Sequence, residues 1–164
     1  EAFGPQFLYC EHNEGLSDHG IYQTNIAFQA STATLTLAHS DDDVYLSGAF
    51  TRLREVAEIH PHRPILFQAI SPNRRLSWVP GKPKLQRGRL GGQSLAMPRE
   101  FGAHFRMEER WRIDFAWILE VLANAKAAGY DQLWIEDVLM LSRPTESEWR
   151  AHYPSHVMRL ASCL

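Results

Sequence analysis

The chain has 164 residues, enough for one domain, taken here as 1–164, with a full core. Its net charge is −2, so whole-chain electrostatics singles out neither nucleic acid nor a membrane surface as a partner. No apolar run reaches the length of a membrane span and no signal peptide is visible, although the start at Glu1 without methionine is compatible with a processed or truncated form that has lost an anchor.

In chain order, Gln6–Cys10 predicts a first strand and Glu11–Gly20 a polar loop. Ile21–Ala30 is rich in β-branched and aromatic residues, which favours an extended segment. Thr32–Ala38 alternates, with Ala33, Leu35 and Leu37 on one side and Thr32, Thr34 and Thr36 on the other, as in a strand with one wet face. Ser40-Asp41-Asp42-Asp43 then reads as the turn of an antiparallel hairpin into Val44-Tyr45-Leu46. The aspartates lack the alternate oxygens and closing glutamate of a calcium loop, so a solvated turn is expected.

The next stretch organises the chain. A helix from about Thr51 places Phe50, Leu53, Val56 and Ala57 at helical spacing. It stops at His60-Pro61, because the residue before proline is pushed out of the α region. Ile65-Leu66-Phe67-Gln68-Ala69-Ile70 is almost continuously apolar, as a strand covered on both faces would be. The same grammar returns in Trp111, Phe115, Ile118, Leu119, Leu122 and Ala125 on a second helix, a stop at Gly129, and a strand from Leu133. Two helix-then-strand units sharing a sheet imply an α/β (α+β) two-layer sandwich, a mixed sheet with its helices on one face. Thr145–Glu148 matches a capping box for a closing helix.

Residues 71–107 differ in kind and read as a long basic loop insertion rich in glycine and proline. They carry Arg74, Arg75, Lys82, Lys84, Arg87, Arg89, Arg99 and Arg106 against Glu100 alone. Such composition does not build a core. A small hairpin across Pro80-Gly81 is expected, pairing Leu76–Val79 with Lys84–Gln86. Arginine and lysine on a glycine-rich loop suit phosphate oxygens, which makes Arg74, Arg75, Lys82, Lys84, Arg87 and Arg89 candidate anion or nucleic-acid contacts. Trp78, Phe101 and Phe105 are candidates for stacking on bases. The competing reading is a basic loop folded back on the acidic remainder of the chain.

Three other constellations were weighed. His60 and His62 flank Pro61 and, in an extended chain, would face the same way and share a divalent metal; two exposed loop histidines and no cofactor is the plainer expectation. Glu136 and Asp137 read as the solvated end of the Leu133 strand. Cys10 and Cys163 lack zinc spacing and are either separate thiols or a clip between the termini. No phosphate loop, dinucleotide fingerprint or nucleophile elbow is present.

Val44-Tyr45-Leu46-Ser47-Gly48, the helix after it, and Pro61-His62-Arg63-Pro64-Ile65-Leu66-Phe67-Gln68-Ala69 resemble the periplasmic domain of the ExbD/TolR proteins, as does Ala127-Ala128-Gly129-Tyr130 before an apolar strand. The resemblance covers roughly Thr34–Ala69 and Asp114–Ile135, under half of the chain, and its motifs are helix and strand signals that many α/β domains share. That family consists of ion-driven motor components with one transmembrane helix and a dimeric periplasmic domain. The transmembrane helix and its ion-carrying aspartate have no counterpart here, so no motor residue transfers. The resemblance implies a non-catalytic interaction domain, periplasmic, homodimeric and working beside a membrane channel partner, in which a Cys10–Cys163 bond is reasonable. Without it, the expectations are a cytoplasmic nucleic-acid or phosphate-ligand protein using 71–107, or a metal-dependent enzyme at His60 and His62.

Overall fold

A computed structural model describes residues 21–40, 42–71, 73, 75–102, 113–145 and 147. The expected strand at Gln6–Cys10, both cysteines, Arg74, Phe105, Arg106, Trp111 and Glu148 lie outside the described residues. In order come α1 (Ile21–Ala30), β1 (Leu35–Leu37), β2 (Asp43–Tyr45), α2 (Ala49–Ile59), β3 (Ile65–Ile70), β4 (Leu95–Pro98), α3 (Ile113–Ala127) and β5 (Leu133–Ser142). The class is α/β: a mixed five-stranded sheet in the order β1-β4-β3-β5-β2, with three helices. β3 and β5 run parallel, and the other neighbouring pairs run antiparallel.

β3 is the centre of the molecule. Ile65–Ala69 is buried throughout, as its apolar sequence requires. Successive side chains point to opposite faces. Ile65, Phe67 and Ala69 join Leu53 and Val56 of α2 in one core, while Leu66 joins Leu95, Met97, Trp117, Ile118 and Val121 in another. The helices α2 and α3 therefore cover opposite faces, which corrects the two-layer arrangement. A strand that is apolar on both sides needs a cover on each.

Local signals that stop helices behave as read. α2 ends at Ile59, before His60-Pro61. At the end of α3, Gly129 takes φ 90, Tyr130 N donates to Ala125 O at 2.9 Å and Gly129 N to Lys126 O at 3.0 Å, a Schellman closure. The buried face of α3 is Trp117, Ile118, Val121, Leu122 and Ala125, whereas Leu119 is 43% exposed. The expected stripe is right at Ile118, Leu122 and Ala125 and wrong at Leu119, in whose place Trp117 and Val121 complete the buried face.

Several long-range expectations are corrected. Ile21–Ala30 is helical, and Phe28 stacks on Trp117 with centroids 5.7 Å apart, so tertiary packing overrides its strand-favouring composition. Thr36 does not line a wet face; it is buried and donates Oγ1–H to Met97 O at 3.3 Å. β1 and β2 form no hairpin and lie at opposite edges of the sheet. The link from Leu37 to Asp43, at about 3.3–3.6 Å per residue, barely spans the four strand spacings, about 19 Å in all, that separate those edges. Across the sheet, the Tyr45 ring on β2 lies tilted against Phe67 of β3, centroids 6.1 Å apart, and its hydroxyl donates to Gln93 O, just before β4, at 3.0 Å. Finally, the glycine- and proline-rich stretch supplies β4, which pairs with both β1 and β3, and places Trp78, Leu90, Met97 and Phe101 in the core.

Because Ile118 is fully buried and Leu119 is not, Ile118→Ala is expected to lower the unfolding free energy by about 2–5 kcal/mol. Leu119→Ala should change it by less than about 1 kcal/mol, since alanine suits an exposed helical position. Urea titrations of the two variants check this, and equal losses would contradict the assigned helix face.

Candidate anion-binding surface

The site begins with an irregularity in the sheet. β5 does not end at Glu136 and Asp137, as the sequence reading had it, but runs to Ser142. Its register against β3 jumps there: Phe67 faces Ile135, but Gln68 faces Val138 and Ala69 faces Met140. The extra residues form a bulge that leaves both acids without a paired residue opposite them on β3. Asp137 turns to α2, where Arg52 grips it with Nε at 3.3 Å from Oδ1 and Nη2 at 3.3 Å from Oδ2. Glu136 turns to the segment that follows β3.

Gln68 lies beside this bulge. It is the one polar residue within the buried run of β3 and is 1% exposed. A buried amide must be satisfied. Its Oε1 accepts Trp78 N at 3.3 Å, and its Nε2 donates to Trp78 O at 3.2 Å and to Glu136 Oε2 at 3.3 Å. The side chain thus pairs with the Trp78 backbone as a neighbouring strand would. Ser77 continues the pairing, donating N–H to Ala69 O at 3.1 Å and accepting Ala69 N at Oγ, 3.1 Å.

Glu136 completes the clamp from outside. Its Oε1 accepts Gly81 N at 3.1 Å and the Trp78 indole Nε1–H at 3.4 Å. The Gly81 amide chiefly, with the Gln68 and Trp78 donors, holds the carboxyl below its ordinary 4.5. The turn it grips is Val79-Pro80-Gly81-Lys82, closed by Lys82 N to Val79 O at 2.9 Å with Gly81 at φ 72. Proline followed by a left-handed glycine is the type II signature, and the turn at Pro80-Gly81 is as expected, but the hairpin is not: Val79 pairs with Lys82 alone, and Leu76 pairs back with Ile70 rather than with Lys84–Gln86. A second turn repeats it: Arg89 N donates to Gln86 O at 3.1 Å across Gly88, φ 74.

The loop between these turns is fastened rather than free. Trp78 and Leu90 are buried in the α3-side core and Leu85 packs against it. Arg75, just before the first anchor, and Lys82, Lys84, Arg87 and Arg89, between the anchors, are exposed. Among the described residues none of them has a carboxylate partner; the ion pairs involve Arg52, His62 and Arg143 instead. Trp78, expected to stack on bases, is 5% exposed, and its ring meets Trp134 edge-on at 5.0 Å. Phe101 is likewise buried, 6% exposed. Both rings are spent on the core.

The other candidates separate. His60 caps α2 with φ −127 and His62 takes φ 65, so the extended geometry that would let the pair share a metal is absent. His62 stacks on Tyr130 at 5.5 Å and meets Glu100 Oε1 through Nδ1 at 2.6 Å. Burial pushes Glu100 up, but bonds from His62 and the backbone outweigh it, so the acid is the acceptor. Among the described residues no group of three or more His, Cys, Asp or Glu is placed to hold a metal ion. The aspartate turn is solvated only in part: Asp42 pairs with Arg143 at 2.8 Å, but Asp43 is 3% exposed and accepts Arg143 N at 3.1 Å.

Compared with known proteins, the chain matches no family model and no curated sequence. The likeness to the ExbD/TolR domain therefore rests on the residues quoted for it above.

Because the carboxyl of Glu136 is lowered, its hold on the loop is complete above 4.5 and is lost as the pH falls through its lower folded value. The Gly81 amide proton, which Glu136 accepts, should therefore shift with a midpoint below 4.5 in an NMR titration. A midpoint at or above that value would remove the clamp from the account.

Proposed function

We propose that the protein is a non-catalytic interaction domain that binds polyanions through Arg75, Lys82, Lys84, Arg87 and Arg89. The observation that carries this reading is the combination of fastening and exposure. The loop is pinned at Trp78, Leu85 and Leu90, while its cations have no carboxylate partners among the described residues. A cationic loop that served only the fold would be expected to lean on the acidic remainder of the chain. This one holds its charges out at fixed points, so little ordering opposes capture of a ligand. With Trp78 and Phe101 buried, the described part of the loop offers no stacking platform for bases. Recognition then works on charge: guanidinium and ammonium groups against phosphate or sulfate oxygens, with displaced counterions supplying much of the driving force.

This reading predicts binding of heparin and of single- and double-stranded DNA with similar affinity and a steep fall as salt rises. The Arg87→Gln/Arg89→Gln variant should bind more weakly and lower the salt slope by about two, one per lost contact. Its melting temperature should be unchanged, because neither side chain has a partner to lose among the described residues. Anisotropy titrations across a salt series measure the slope. Absence of binding by the unmodified protein at low salt, or a strong preference for particular bases, would overturn the reading.

A further inference from the structure

Glu136 stands in the wrong place for an anion-binding surface. It is a fully ionised, exposed carboxylate at the root of a loop whose function, on the reading above, is to attract negative charge. Taken as a charge alone, it repels every ligand that Lys82 and Lys84 attract. Its bonds give it a different character. It accepts from three donors on different parts of the chain: the Gly81 amide, the Trp78 indole and the Gln68 side-chain amide. Gln68 in turn holds both backbone groups of Trp78. The carboxylate is therefore the outer half of a two-sided grip, with Gln68 the buried half, on the segment that leads into the cations.

We infer that Glu136 is a positioning residue for polyanion binding, an acid retained among cations because it fixes the loop that presents them. The inference rests on the proposed function and gives it a sign that charge alone would not. Two effects oppose each other when Glu136 is truncated to alanine. Losing a negative charge beside the cations favours the anionic ligand. Losing the acceptor frees the Gly81 turn and the Trp78 indole, and the loop must then be ordered at the moment of binding. The grip spans three donors and lies at the loop root, whereas the repulsion acts through solvent and is screened by salt. The grip prevails, so removing an acid should weaken the binding of an anion.

The test is an anisotropy titration of the full chain with a labelled heparin oligosaccharide across a salt series. It uses the unmodified protein, Glu136→Gln, Glu136→Ala and, as a charge control, Glu58→Gln on the exposed side of α2. Glu136→Ala should bind about three- to tenfold more weakly, the penalty of re-ordering roughly one side chain's worth of freedom, and show a shallower salt slope; Glu136→Gln, whose amide oxygen still accepts from Gly81 and Trp78 but whose amide nitrogen meets the Gln68 amide, should fall between Glu136→Ala and the unmodified protein. Glu58→Gln should bind as tightly as the unmodified protein or slightly tighter. Trypsin should cut faster after Lys84, Arg87 and Arg89 in the Glu136 variants, at nearly unchanged melting temperature. Should both variants lose their fold, Trp78→Phe removes one of the gripped donors without altering charge, and weaker binding by it supports the inference while unchanged binding overturns it. Equal or tighter binding by the Glu136 variants, with the slope unchanged, overturns the positioning role and leaves the polyanion reading standing. Failure of the unmodified protein to bind overturns both.

Discussion

The structure depends on the burial of β3 from both sides. Ile65, Phe67 and Ala69 face α2, and Leu66 faces α3. A strand so placed has no solvent face, so every polar group on it needs a partner inside the protein. Its backbone finds one in β4 and β5. Its one polar side chain in the buried run, Gln68, can be satisfied only by chain brought to it. That requirement fastens the segment around Trp78 to the sheet and fixes where the cationic loop leaves the fold.

The bulge in β5 belongs to the same logic. Adjacent strand residues point to opposite faces, and the break in the ladder frees both acids from a paired residue on β3. With the register broken there, Asp137 serves α2 through Arg52, while Glu136 serves the loop through Gly81 and Trp78. One local irregularity thus connects both coverings of the sheet to a single pair of adjacent acids.

What was legible in the sequence was short in range. The stop of α2 at His60-Pro61, the Gly129 closure, the Pro80-Gly81 turn and the buried character of Ile65–Ala69 each depend on a few neighbouring residues. What was not legible depends on partners far away. No local feature of Thr32–Leu46 distinguishes a hairpin from two strands at opposite edges, because the difference lies in β4 and β5. On α3 the spacing found Ile118, Leu122 and Ala125 but misplaced Leu119, because large apolar residues flank that stripe on both sides and spacing does not rank them. Of the candidate site, the cations stood out by charge, but their presentation did not. Gln68 carried a faint signal, a lone amide in an apolar run; Glu136, read as a strand end, carried none, because a bulge is a property of two strands.

The strand order has a consequence for how the chain comes to fold. No two strands adjacent in sequence among β1, β2 and β3 are neighbours in the sheet, so these three described strands give no hairpin to nucleate on. The central parallel pair waits for β5, whose Glu136 lies 68 positions beyond its partner Gln68. Contacts so distant in sequence make for slow folding. On a ribosome, β3 emerges before either of its neighbours, with both edges open and the face that α3 will cover bare. Such a segment is an aggregation hazard until the chain is nearly complete. The cations that follow it in sequence, dense and of one sign, flank it during that interval as gatekeepers flank an exposed hydrophobic strand.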